Sequence, residues 1–347
     1  MRHHNSVPLP RRNIEFIALA GVALVAPFVF PEYKTQLAFL WVFILFALTW
    51  DLQGGQMGYN SFGNIVFFGL GMYVATAVQI GIAFDLGEWT KAGGENTFTH
   101  STAQYFSGFV VGLIAAGSAP MILALLLGRF LLAMRGQYFA ICTLGLGIAA
   151  GEIASSIDVI GAGSGMSVPI WPDEIGGLLV RDYALYFMCA ALALTCFIVM
   201  RHIHRSRFGM ALNAIRDDED KAEAMGLPVT VCKTASWTVS AFFLGIAGAL
   251  TAHIVGFIDP TEVAFAGATY GVWMVLMAVL GGKGTLWGPV IGALLFQFFK
   301  EFFWTHFLGW QYVMLGFLIV VAVVFFPDGI AGWWRQRFES KRRERAT

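Results

Sequence analysis

The chain has 347 residues, 57% hydrophobic and 13% charged, with a mean hydropathy of +0.68. A soluble domain carries about a quarter charged residues and could not bury this much apolar surface. Disordered and fibrous classes and nearly every soluble enzyme are therefore excluded. The 22 basic and 22 acidic residues cancel, which leaves no basic surplus for nucleic acid.

Taken in chain order, Arg2, Arg11 and Arg12 precede a first apolar run over 14–30. No small-residue cleavage site follows, so the run reads as an uncleaved first helix and not as a signal peptide. Further apolar blocks lie at 37–50, 62–84, 105–127, 138–153, 183–200, 234–257, 265–280, 286–299 and 312–326. Blocks of this length are what a helix needs to cross a bilayer. The expected fold is an all-α polytopic membrane protein, a single transmembrane domain over 1–347. It should have about ten transmembrane helices, within a range of about eight to eleven. The short blocks beside glycine clusters are expected to be broken or re-entrant.

Charge orients these spans. Fifteen of the 22 Lys and Arg residues fall in the N-terminus, in 201–233 and in 335–345. Basic residues flanking spans favour the cytoplasm. With ten spans, those three segments share one side with Arg129, Arg135 and Lys283. The segments 85–104 and 158–182 lie opposite.

Several kinds of chemistry are missing. Residues 277–284 read MAVLGGKG, which lacks the first glycine and the Ser or Thr of a phosphate-binding P-loop. There is no HExxH and no GxSxG, and Cys142, Cys189, Cys196 and Cys232 form no CxxC pair. No metal site and no catalytic residue is expected. The histidines at 202 and 204 read as part of a juxtamembrane basic cluster.

Four stretches could carry function. In 58–73, GYNSFGNIVFFGLGMY, the polar residues Tyr59, Asn60, Ser61 and Asn64 open an apolar run weakened by glycines. Polar groups at membrane depth face protein or a wet path, so a translocation path and a helix cap with interhelical hydrogen bonds both fit. In 136–152, GQYFAICTLGLGIAAGE, the acid Glu152 closes a span and fits either a path or a water-exposed interface. The insert 206–228, SRFGMALNAIRDDEDKAEAMGLP, places Phe208, Ala211, Leu212, Ile215 and Ala222 at helical spacing. A helix over 208–223 would be roughly 24 Å long, stopped by Gly226 and Pro228. Its apolar stripe must lie on lipid, on the chain's own spans or on another subunit. Finally, 280–293, LGGKGTLWGPVIGA, repeats glycine at Gly284, Gly288 and Gly292, a smooth face for close helix packing. The runs 50–73 and 277–292 share an outline, as internal repeats in transporters do.

These stretches resemble the permease subunits of branched-chain amino acid ABC importers, and the M-type subunit of the high-affinity system in particular. The insert is similar to that family's SRFGRALxAIRExExAAEAMGI. It keeps Ser206, Arg207, Phe208, Gly209, Ala211, Leu212, Ala214, Ile215, Arg216, Ala222, Glu223, Ala224, Met225 and Gly226. The 280–293 stretch is similar to LGGxGSLWGPVxGA, with Thr285 in place of Ser. The 58–73 stretch resembles GQLSLGHAAFFGIGAY, with Tyr59 where Gln is usual and Asn64 where His is common. Arg135, Gly136, Tyr138, Ala140, Ile141, Thr143 and Leu144 match the family's RGxYLAIxTLAFGEI.

The resemblance covers most of 35–332 and implies an importer permease of the bacterial inner membrane with both termini cytoplasmic. Residues 201–233 would be the coupling loop. Arg207, Phe208, Gly209, Leu212, Ile215, Arg216, Ala222, Glu223 and Gly226 would meet an ATPase, with Phe208, Leu212 and Ile215 filling its groove. The implied partners are a second related permease, two ABC ATPases that bind ATP and Mg, a periplasmic solute-binding protein and the lipid bilayer. This chain would hold no cofactor itself. Branched-chain amino acids are the default solute, with urea, short amides and aromatic acids carried by close relatives. An ion-gradient-driven secondary transporter, using Glu152, is the alternative from another class. A membrane-embedded enzyme is disfavoured for want of a catalytic constellation.

Overall fold

In the computed structural model, residues 9–94, 98–307, 309–325, 329–330 and 332 are described. Arg2 and the basic stretch 335–345 lie outside them. The helices are α1 (Leu9–Val29), α2 (Lys34–Asp51), α3 (Asn64–Gly81), α4 (Leu86–Lys91), α5 (Thr102–Leu131), α6 (Gln137–Ser155) and α7 (Gly177–Arg205). They continue with α8 (Arg207–Asp217), α9 (Glu219–Ala224), α10 (Val229–Val255), α11 (Val272–Gly281), α12 (Gly288–His306) and α13 (Gln311–Phe325). The one ladder among the described residues pairs β1 (Met166–Ser167) with β2 (Phe257–Ile258), antiparallel.

Every apolar block lies on a helix. Seven segments are long and apolar enough to cross a membrane: 31–57, 64–81, 102–131, 137–155, 177–205, 229–255 and 260–281. The other three blocks fall on α1, α12 and α13. Of these, α12 carries Lys300 and Glu301, and α13 has 15 residues. The chain is thus an all-α, multi-pass membrane protein. Its predicted irregular helices are present. The α2 helix runs into a π-type turn at Leu52–Met57 that stops at Gly58, at φ +80°. The 260–281 segment is discontinuous: π-type turns at Pro260–Ala264 and Gly267–Gly271 flank a break before α11 begins.

The core is a three-helix unit of α3, α5 and α10 held at backbone contact by glycines. A β-carbon on Gly245 of α10 would collide with the Ala116 carbonyl of α5, and one on Gly248 with the Phe68 carbonyl of α3. Small residues at such crossings let helices approach closely where lipid offers no hydrophobic drive. The central α2 has 83% of its spanning window buried, against 28% for α5 and α6. The outer face of α5 exposes Val110, Ile114, Leu126 and Phe130, the apolar surface that lipid requires. On the adjacent pair, Gly288 and Gly292 of α12 lie against the backbone of α11 at Gly282 and Met277. Gly284 is not on that helix face. It stands in the preceding turn at φ +78°.

The two ends of the bundle differ. At one end, α8 packs against the π-type turn after α2, α7 and α10, and α9 packs against α10. At the other, Trp89 of α4 is buried and its Nε1 donates to the Ser167 carbonyl at 3.1 Å, beside the β1–β2 ladder. Arg135, Arg201–Arg205 and Lys283 sit at the first end; 85–94, 98–101 and 158–176 sit at the second.

Gly245→Val forces a backbone clash between α10 and α5. It should lower stability by about 1–3 kcal/mol or more, read as thermal unfolding of the detergent-solubilised chain. Gly145→Ala, where a β-carbon meets nothing within 4 Å, should leave it unchanged.

Candidate functional site

After α7 ends at Arg205, the chain turns at Ser206, whose Oγ accepts the Gly209 N–H at 3.2 Å and starts α8. The expected single helix over 208–223 is broken. Asp218 is extended, and its side chain accepts the Lys221 N–H at 3.1 Å to start α9. A short acidic side chain is a better cap than a helix interior residue. Hydrogen bonds from Lys221 hold the Asp218 carboxyl below the usual carboxylate range.

The stripe of α8 also faces the other way from the expectation. Leu212 and Ile215 are buried against the chain's own bundle, and Phe208 is half-buried. The apolar side chains presented outward are instead Met210, Met225 and Val231. Gly226 follows at φ +86°, with no atom near a would-be β-carbon. Arg207, Arg216 and Glu223 are exposed, and Ala222 is buried.

Two polar clusters fasten these helices to the spans. In the first, Lys233 at the start of α10 is 1% exposed. Its ammonium donates to Glu219 Oε1 at 2.6 Å, to the Tyr59 hydroxyl at 2.6 Å and to the Leu132 carbonyl at 3.3 Å. The Tyr59 hydroxyl in turn donates to the second Glu219 oxygen. Burial, followed by that carboxylate, pushes the Tyr59 hydroxyl well above the ordinary phenol range, so it stays a donor. Arg135 lies over the outside, 2.6 Å from Asp220, 3.5 Å from Glu219 and 3.7 Å from Glu223. Its hydrogen bond to Asp220 holds the guanidinium still more firmly charged.

In the second cluster, Arg216 of α8 donates to the Gly55 carbonyl at 3.0 Å. Beneath it, the buried Asp51 accepts the Gly284 N–H at 2.6 Å, and Gln56 donates to the Gly284 carbonyl at 2.9 Å. The two runs that share an outline in the sequence therefore meet here, under α8.

The predicted path residues do not form one group. Tyr59 belongs to the Lys233 cluster, and Asn60 is exposed at the bundle end. Ser61 and Asn64 are buried, and their side-chain polar atoms have no hydrogen-bond partner among the described residues. The turn holding them leans on α6: the Phe62 N–H reaches Thr143 Oγ1 at 3.2 Å. Glu152 is nine residues further along α6, roughly 13 Å away, and exposed. Lys233, Arg135 and Asp51 were not among the predicted site residues. Their signal was a lone charge closing an apolar block. Among the described residues, no cluster of His, Cys, Asp and Glu could hold a metal ion.

The branched-chain amino acid transport system / permease component family matches residues 34–323. The chain belongs to this family. It is similar to the high-affinity branched-chain amino acid transport system permease protein LivM of Salmonella typhimurium, 26% identical over 93% of this chain and 81% of that one. It also resembles LivH of Escherichia coli, 30% identical over 41% of this chain and 44% of that one. The fructose import permease protein FrcC of Rhizobium meliloti is 26% identical over 42% and 41%. No solved structure matches. The permease is the translocating component of its transport system.

Removing one member of a buried ion pair leaves the other uncompensated, at a cost of about 3–5 kcal/mol. Lys233→Met should therefore destabilise the permease strongly and free α9 for rapid hydrogen exchange. Adding Glu219→Gln should restore most of the loss, as measured by thermal unfolding and exchange of the Glu219–Ala224 amides.

Proposed function

We propose that this permease is one of two related membrane subunits of an ATP-driven ABC importer in the bacterial inner membrane. Two separate ATPases, which bind ATP and Mg, dock on α8 and α9, and a periplasmic solute-binding protein delivers solute to the opposite end. The names of the LivM and LivH relatives support a branched-chain amino acid as the solute and a second permease as partner. Urea, short amides and aromatic acids are the alternatives that the resemblance raises.

The observation that carries this reading is the Lys233–Glu219–Tyr59 cluster. Two short exposed helices on flexible turns would be a poor docking platform. Here one carboxylate on α9 is bonded to α10 and to the turn before α3, so force applied at Met225 and Gly226 reaches the core spans. The absence of a P-loop in the sequence fits a separate ATPase. A conformational cycle between outward and inward states then needs only that ATP binding favour one state.

The two ends of the bundle suit opposite compartments. The end with Arg135, Arg201–Arg205, Arg216 and Lys283 is the cytoplasmic one on the positive-inside rule, and both termini belong with it. Alkaline phosphatase fused after Arg216 should be inactive, and fused within 85–104 it should be active; the reverse would invert the orientation.

The central test is reconstitution of the complete system in liposomes. Leucine uptake should require ATP and proceed without an ion gradient. Gradient-driven uptake by this chain alone would instead favour a secondary transporter. Met225→Glu, at a fully outward position, should leave membrane insertion and stability unchanged. It should reduce ATPase co-purification and uptake by tenfold or more, since a lone charge placed in a docked apolar contact costs about 1.4 kcal/mol or more. Unchanged uptake would place the ATPase elsewhere.

A further inference from the structure

The first helix leans on α7 along one seam. Phe16 stacks on Phe197 with ring centroids 6.2 Å apart, and Phe28 stacks on Tyr183 at 5.7 Å. Between them the Tyr186 hydroxyl donates to the Ala23 carbonyl at 2.9 Å. Toward the bundle end that carries α8, the two helices part around an open cavity of about 330 Å³. Phe16 and Ile198 supply its apolar lining, and Arg201, His202 and Arg205 supply its basic one.

Helix length sets the depth of this cavity. The 29 residues of α7 reach about 44 Å. The hydrocarbon core of a bilayer is about 30 Å thick, and the headgroup layers bring it to about 40–45 Å. The last turns of α7 therefore stand in a headgroup layer, with Ile198 at the acyl boundary. Arg201 and Arg205 are four residues apart and His202 and Arg205 three, so the three share one side of the helix. On α1, Arg11 and Arg12 lie about one turn beyond Phe16 toward the same end, and Arg207 follows on α8. The stretches 9–16 and 201–207 together hold five arginines and one acid, Glu15. A helix C-terminus favours a basic residue through its dipole. That accounts for one guanidinium near residue 205, but not for several around a cavity with an apolar lining. Like charges one turn apart repel, and an anion between them removes that cost.

We propose that this cavity binds an anionic phospholipid of the cytoplasmic leaflet. The phosphate sits between the guanidiniums of Arg201 and Arg205 with His202 beside it, and the head of an acyl chain lies on Phe16 and Ile198. Both parts of such a molecule are matched, a charged head at the water boundary and an apolar tail below it. Basic pockets between spans on the cytoplasmic side hold headgroups of this kind. The site goes beyond the importer reading and rests only on the orientation given there, which the phosphatase fusions test separately. Arg205 is the last residue of α7 and Ser206 starts α8, so a lipid held here braces the joint from which the docking helices spring. The rival occupant is an acidic stretch of the ATPase.

The test is native mass spectrometry of the full-length permease in detergent, with phosphatidylglycerol or zwitterionic phosphatidylcholine added. The unaltered chain should retain phosphatidylglycerol in preference to phosphatidylcholine. Arg201→Gln combined with Arg205→Gln should weaken phosphatidylglycerol retention by about tenfold or more. Arg201→Lys combined with Arg205→Lys keeps the charge and should keep most of the retention. Arg129→Gln, at an exposed position of the same bundle end outside the cavity, should leave it unchanged. Thermal unfolding without added lipid should match in all of these chains, so that a folding failure does not imitate lost binding. Equal retention of the two lipids overturns the proposal, as does unchanged retention in the double glutamine variant. An equal loss in Arg129→Gln overturns it too, because it marks non-specific surface charge. Loss of ATPase co-purification from the double glutamine variant, with lipid retention unchanged, assigns the cavity to the protein partner instead.

Discussion

A lysine ammonium can leave water only if its donors are met. Lys233 has three N–H bonds to satisfy, and it satisfies them with three acceptors from three separate places: Glu219, Tyr59 and Leu132. That requirement fixes much of this end of the molecule. It draws α9 down onto the start of α10, sets the turn before α3, and brings the end of α5 alongside. The break falls at Asp218, whose extended backbone and side-chain cap start α9 as a separate turn that carries Glu219. The exposed Arg135 adds a second, solvent-screened layer of charge that contributes little on its own.

Packing divides the rest of the chain into a tight part and a loose part. Where Gly71, Gly245 and Gly248 bring backbones into contact, α3, α5 and α10 cannot slide without collision. Packed interfaces of this kind hold discrete arrangements and do not deform smoothly. By contrast, α6 is held along one seam, and the 260–271 segment is interrupted twice by π-type turns. Rearrangement costs least where fewest contacts and hydrogen bonds are lost. Those two elements are therefore the compliant part of the bundle.

Much of the fold was legible in the sequence, because lipid imposes a requirement that hydropathy records directly. All ten apolar blocks lie on helices, and the glycine-flanked ones include the irregular segments. The amphipathic pattern of Phe208, Leu212 and Ile215 was also legible, but its direction was not. A stripe shows that a surface is covered and leaves open whether the cover is the chain itself or a partner. Single charges were the harder case. Asp51, Lys233 and Arg135 look in sequence like the ordinary ends of spans. Asp51 and Arg135 meet Gly284 and Asp220 across 233 and 85 residues, and Lys233 meets Tyr59 across 174, so only the folded topology brings them together; Glu219 alone is near, 14 residues before Lys233. The polar residues at 59–64 erred in the opposite direction. They adjoin in sequence, yet the turn sends Tyr59 to an ion pair, Asn60 to the surface and Asn64 inward.

The bond from the Gly284 N–H to Asp51 spans 233 residues. At synthesis rates of about 5–20 residues per second, the ribosome delivers Gly284 roughly 12–47 s after Asp51. Tyr59 waits through 174 residues for Lys233. During that interval the end of α2 carries the acid Asp51, Gln56 and the phenol of Tyr59 without the partners they have in the folded chain. They stay hydrated only if that end remains at the water boundary, open to solvent or lodged in the insertion machinery. The late segments supply the partners in chain order: Arg216 of α8, Glu219 of α9, Lys233 of α10 and Gly284 after α11. Biogenesis of this chain therefore has a natural checkpoint: a nascent permease halted before α10 has the spans of its first half but lacks the bonds made by Lys233 and Gly284.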